Sequence, residues 1–143
     1  MLPSGLLHPT SMNLIGPGVV LHLPTFFSEL KMLQDKGIPN LQQRLAVSKR
    51  CALNLDLHAI ADYIREAYMG ANSIGTTLRG IGPAYSSRAE RTNLIVADLF
   101  EDHVLEKNMR FLATRFSSSH GVNKIDYDVE EEISQLKVGC FIL

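Results

Sequence analysis

The chain has 143 residues, 45% of them hydrophobic and 20% charged, which is the composition of one globular domain or a piece of a larger one and excludes wholesale disorder. Its 14 Lys and Arg against 15 Asp and Glu leave a net charge of −1, which excludes a nucleic-acid binder held by excess positive charge. No apolar run reaches the ~20 residues that span a bilayer, the N-terminus lacks the basic start of a signal peptide, and Cys51 and Cys140 alone build neither a metal spacing nor a disulfide framework. The expected setting is reducing, hence intracellular.

The first element falls between Asn13 and Leu23, where Gly16, Pro17 and Gly18 predict a turn and Val19 and Val20 the start of a short buried strand. Pro24 suits a helix first turn, and Phe26, Phe27, Leu30 and Leu33 recur at helical spacing until Gly37 stops the run. Arg44 to Ser48 and the alternating Leu53 to Leu57 predict two more strands, followed by a helix over His58 to Met69. Gly70 to Asn93 reads as one long loop rich in glycine and hydroxyls, with Arg79, Arg88 and Arg91 interleaved. Leu94 to Ala97 predicts a fourth brief strand. Asp98 is placed as the cap of a long helix to about Arg115, with Leu99, Val104, Leu105, Met109 and Leu112 as its apolar stripe. A polar loop over Phe116 to Lys124 precedes an acidic-start helix, Asp128 to Lys137, in which Glu130, Glu131 and Glu132 read as solvated. Residues 138–143 are a divergent apolar tail. Strands alternating with helices predict an α/β class, with a partial mixed or parallel sheet and flanking helices. Four short strands are too few for a doubly wound sheet, so the core reads as incomplete.

Gly70 to Arg91 is the segment best suited to chemistry. Glycines let backbone N–H groups approach an anion, and Thr hydroxyls and Arg guanidinium groups complete a phosphate site. Gly75 and Gly80 have P-loop spacing, but Ile81-Gly82 stand where Lys and Ser or Thr are required, so a triphosphate P-loop is rejected. Composition alone favours the plainer alternative, a surface loop using glycine for turns. Asp56 and His58, two apart on an expected strand, share a face. Such a pair is more often a structural hydrogen bond than an acid/base couple. No metal site is argued from His8, His22, His103 and His120. Cys51 and the Phe26–Phe27 pair read as core.

The run IGTTLRGIGPAYSSRAER, Ile74 to Arg91, resembles the adenylosuccinate synthetase family. Ser4-Gly5, the IGPGVV turn at Ile15 to Val20, LDLH at Leu55 to His58 and LIVADLF at Leu94 to Phe100 match it in order and spacing. The resemblance covers residues 1–137, with an IMP-site loop at about 70–93. It implies a fragment of a larger single-domain α/β enzyme. It also implies a GTP- and Mg²⁺-dependent ligase that joins IMP and aspartate in AMP biosynthesis, acting as a cytoplasmic homodimer. On this resemblance Thr77 hydrogen-bonds the IMP 5′-phosphate, and Arg91 reaches an IMP phosphate in the partner subunit. Arg88 stands where the family has Lys, which leaves no catalytic residue assigned. Leu78 replaces a small or basic residue, and Pro17 an Asn.

The resemblance further implies a GDEGKGK phosphate loop, a catalytic Asp and a catalytic His upstream of the matched segment. None of these is in the sequence, so the chain alone is expected to be inactive as a ligase and to lack the GTP- and Mg²⁺-binding segments. Two alternatives follow: a non-catalytic module that forms mixed dimers with a full-length synthetase subunit, and an unstable product with exposed apolar faces such as Val19-Val20.

Overall fold

The computed structural model describes residues 2–120 and 127–140, the side chains of 119, 120, 139 and 140 excepted. These residues form strands β1 (Asn13–Ile15), β2 (Val20–Leu21), β3 (Leu45–Val47) and β4 (Ala52–Leu53). The helices are α1 (Leu23–Asp35), α2 (Asp56–Met69), α3 (Ile81–Ala89), α4 (Asp102–His120) and α5 (Val129–Cys140). β1 pairs in parallel with β3, Asn13 opposite Leu45, and β2 in parallel with β4, Val20 opposite Ala52. Parallel pairing needs a crossover, and α1 lies between the two halves of each pair. The α/β class with short parallel ladders and flanking helices is therefore what the chain adopts.

α1 begins as its sequence dictates, with Pro24 in the first turn. It ends at Gly37, whose φ of 78° allows Gly37 N–H to donate to Gln34 O and Ile38 N–H to Leu33 O. α4 buries Leu105, Met109, Leu112 and Phe116, successive turns of one face. Each such side chain contributes roughly 1.5–3 kcal/mol of burial. They pack with Leu53, Leu55, Leu57, Leu94 and Cys51 in one core. Arg44, itself buried, donates to three carbonyls: His8 O at 2.6 Å, Leu6 O at 3.1 Å and Pro39 O at 3.0 Å.

Several expectations are corrected. The alternation Leu53 to Leu57 is not one strand: β4 stops at Leu53 and α2 starts at Asp56. All three leucines are buried, because the strand end and the helix start both face the core. Leu94 to Ala97 makes only an isolated antiparallel bridge, Ile95 to Ala52. Asp98 caps a 3-10 turn, Val96–Phe100, by accepting Ile95 N–H at 3.0 Å, and α4 starts later, at Asp102. α4 also continues through Phe116, and positions 121–124 of the expected loop lie outside the described residues. α5 extends through Cys140 into the expected tail, whose positions 141–143 also lie outside them. Of the Phe26–Phe27 pair, Phe26 is fully core and Phe27 half-buried, the two rings meeting edge to face at 5.2 Å.

Glu132 is the sharpest correction, because it is buried rather than solvated. It accepts Asp56 N–H at 2.6 Å and the Tyr127 hydroxyl, so α5 supplies a cap to the start of α2. Burial is the main cause that raises its pKa above the ordinary carboxylate range, and it raises that of Tyr127 as well. A carboxyl group with a raised folded-state pKa stabilises the fold fully below its unfolded value, and that contribution is lost as pH rises through the folded value. Glu132→Gln keeps a neutral acceptor for Asp56 N–H. It is expected to match the parent near pH 4 and to exceed it by about 1 kcal/mol near pH 8. Denaturant midpoints across that range check the crossover.

Candidate functional site

α2 carries two carboxylates one turn apart, and both face the segment that follows it. Buried Asp62 Oδ2 accepts Gly80 N–H at 3.2 Å and the Thr76 hydroxyl at 3.3 Å. Glu66 accepts Ile74 N–H on Oε1 at 3.2 Å and Gly75 N–H on Oε2 at 3.1 Å. Just after β4 the Asn54 amide donates to Arg79 O at 2.8 Å. The 74–80 loop is thus tied at both ends to α2 and once to the sheet. Gly75 and Gly80 take φ of 74° and 71°, and Leu78 takes 55°. The left-handed region costs a leucine roughly 1–2 kcal/mol.

The expected long loop is corrected here. Its second half is the helix α3, which opens directly after Gly80. Pro83 is tolerated because it sits in the first turn, where no intrahelical N–H is required. Small buried residues, Ala84 and Ser87, give α3 no apolar stripe to read. The Tyr85 hydroxyl donates to Gly18 O at 3.3 Å and joins α3 to the Gly16–Gly18 turn.

Between that turn, the ends of β2 and β4, and the loop lies an open cavity of about 840 Å³. Thr77, Leu78 and Arg79 line it on one side, and Gly16, His22 and Asp56 on the other. Of the two adjacent threonines, Thr76 turns back to Asp62 and Thr77 faces the cavity. Arg88 and Arg91 do not line it. Arg88 lies near Cys51, and its Nη1 is buried without a hydrogen-bond partner among the described residues. Burial raises the Cys51 thiol pKa, and the Arg88 charge partly offsets this. Arg91 is exposed, with φ of 59°. Pro17 is exposed in the turn next to Gly16.

The Asp56–His58 couple is absent as an acid/base pair. Both residues sit in the first turn of α2 rather than on a strand. His58 is buried, and its Nδ1 accepts Leu55 N–H at 3.0 Å while Nε2 meets Ser87 Oγ at 3.3 Å. Burial lowers its pKa to about 4, so the ring is neutral near pH 7. Asp56 instead meets His22 Nε2 at 3.3 Å, and His22 Nδ1 meets Thr25 Oγ1 at 2.7 Å. Sequence reasoning placed Arg79 in the glycine-rich run without giving it a role of its own, and gave none to His22, Asp62, Glu66 or Asn54.

The adenylosuccinate synthetase family model matches residues 1–139. The chain belongs to that family. It is 47% identical over 137 residues to an adenylosuccinate synthetase of Pyricularia oryzae and 45% identical to one of Neurospora crassa, covering 96% of this chain and 32% of each relative. The solved structure of fully ligated adenylosuccinate synthetase from Plasmodium falciparum superposes with a TM-score of 0.85 at 28% identity, over 99% of this chain and 32% of that one. The chain therefore spans about a third of the length of the adenylosuccinate synthetases it matches. Among the described residues no three His, Cys, Asp or Glu side chains gather where a metal ion could be held. No helix among them is long and apolar enough to cross a membrane.

Proposed function

We propose that the cavity behind the 74–80 loop binds the 5′-phosphate end of IMP, as part of an adenylosuccinate synthetase site. The observation that carries this reading is the division between the two threonines: Thr76 is held by Asp62, and Thr77 is turned to the cavity beside Arg79. A hydroxyl and a guanidinium at one wall suit a phosphate dianion. The 1–137 segment is one partial domain in this reading. The reaction of the whole protein is the GTP-dependent ligation of IMP and aspartate in AMP biosynthesis, in the cytoplasm. GTP and Mg²⁺, when bound, supply the phosphoryl group and neutralise its charge. In this reading the share of this chain's residues is to hold and orient IMP.

The exposed position of Arg91, away from the cavity, favours a second component. Arg91 serves the IMP phosphate of a neighbouring subunit, in a homodimer or in a mixed dimer with a full-length synthetase subunit. Arg88 has no assigned catalytic role.

Thermal unfolding with and without IMP tests the reading. A ligand at 100 times its Kd stabilises the native state by about 2.7 kcal/mol, which raises Tm by about 8 °C in a chain of this size. Inosine, which lacks the phosphate, is expected to shift Tm far less, and Thr77→Val to remove most of the IMP shift. Equal shifts with IMP and inosine would place the phosphate elsewhere.

A further inference from the structure

We infer that Asp62 and Glu66 are positioning residues that set the 74–80 loop so that Thr77, rather than Thr76, faces the ligand. This rests on the reading of the cavity as a phosphate site and adds two residues to it that contact no ligand. Asp62 is the fixed end. It is buried, and one oxygen holds both the Thr76 hydroxyl and Gly80 N–H. Glu66 is the outer end. Its two oxygens take the consecutive N–H groups of Ile74 and Gly75, the two-donor arrangement that main chain otherwise offers to an anion. Hydrogen bonds to an ionised acceptor are shorter and roughly twice as strong as neutral ones. With Ile74, Gly75, Thr76 and Gly80 committed to α2, Thr77 and Leu78 are left at the cavity. Asp62 and Glu66 stand one turn apart on α2 and hold the two ends of the loop, so one helix face sets it.

The test uses the 143-residue chain and its Glu66→Ala, Glu66→Gln and Asp62→Asn variants. Amide hydrogen exchange at Ile74, Gly75 and Gly80 is measured first, without ligand. Glu66→Ala is expected to speed exchange at Ile74 and Gly75 about tenfold, and Glu66→Gln, which can accept one of the two N–H groups, less than that. Calorimetric titration with IMP and with inosine follows. Glu66→Ala is expected to weaken IMP about tenfold with inosine unchanged, Glu66→Gln to recover most of the loss, and Asp62→Asn to behave as an intermediate. A purely structural defect would weaken both ligands together. Unchanged exchange in Glu66→Ala, or equal losses for IMP and inosine, overturns the inference. Failure of the parent chain to bind IMP overturns the phosphate reading, and the exchange result then decides the positioning role alone.

Discussion

Gly80→Ala is expected to destabilise the chain by about 4 kcal/mol and to detach α3 from α2. Two costs add at this position. The φ of 71° lies in the left-handed region, worth roughly 1–2 kcal/mol against any residue with a Cβ. The new methyl would also overlap main-chain Ala59 N and His58 C and come 2.7 Å from His58 Cβ. Overpacking costs typically 1–3 kcal/mol, and main chain inside a helix yields less readily than a side-chain tip. The N–H that Asp62 holds belongs to the same residue, so displacement also loosens the loop. Gly82→Ala is the matched control. It lies in the first turn of the same helix, and beyond its chain neighbours an added Cβ there meets nothing within 4 Å. It is expected to change stability by less than about 1 kcal/mol, because the helix-propensity gain is offset by the restriction Pro83 places on a residue with a Cβ before it. Urea midpoints of the two variants check the contrast, and equal midpoints would refute the close-approach argument.

Acid is expected to destabilise the chain through His58. Leu55 N–H donates to Nδ1, so the ring proton sits on Nε2, toward Ser87 Oγ. A second proton would have to go on Nδ1, against a backbone donor and inside a core formed partly by the Phe116 ring 5.4 Å away. Burial lowers the pKa from the ordinary 6.5 to about 4. For a base with a lowered folded pKa, the stabilising contribution is present above pH 6.5 and lost as pH falls toward 4. At 1.36 kcal/mol per unit, the loss is on the order of 2 kcal/mol by pH 5 and 3 kcal/mol by pH 4. Glu132 acts in the opposite sense, so the cleanest measurement is made in the Glu132→Gln background. There, His58→Gln keeps an acceptor for Leu55 N–H, as a capping-box residue does. It is expected to have a flatter stability profile between pH 7.5 and 5. Identical slopes with and without the imidazole would sink the assignment.

What could be read in the sequence follows from how each element declares itself. α1 and α4 bury large apolar side chains at helical intervals, and such stripes are visible without coordinates. α3 buries Pro83, Ala84 and Ser87, small residues that carry no periodic signal, and its Gly82 and Pro83 resemble loop residues. Leu53, Leu55 and Leu57 alternate as a strand would, yet they straddle the end of β4 and the start of α2. That one misplaced boundary produced the false Asp56–His58 couple. At the candidate site, the motif around Thr77 singles that residue out, and it lines the cavity. Its supports were not legible, because Asp62, Glu66 and Asn54 act through loop main chain distant in sequence.

The three carbonyls gathered by Arg44 come from two separate stretches, the 3-10 turn and its end at Leu6 to His8, and Pro39. One guanidinium therefore works as a non-covalent staple between segments up to 38 residues apart. Proteolytic nicking before His8 would do more than trim a surface strand of chain. It would take the Leu6 carbonyl from a buried cation and Leu2 and Pro3 from the cavity wall, so the lesion would register both as lost stability and as an altered site, with the 74–80 loop itself chemically intact.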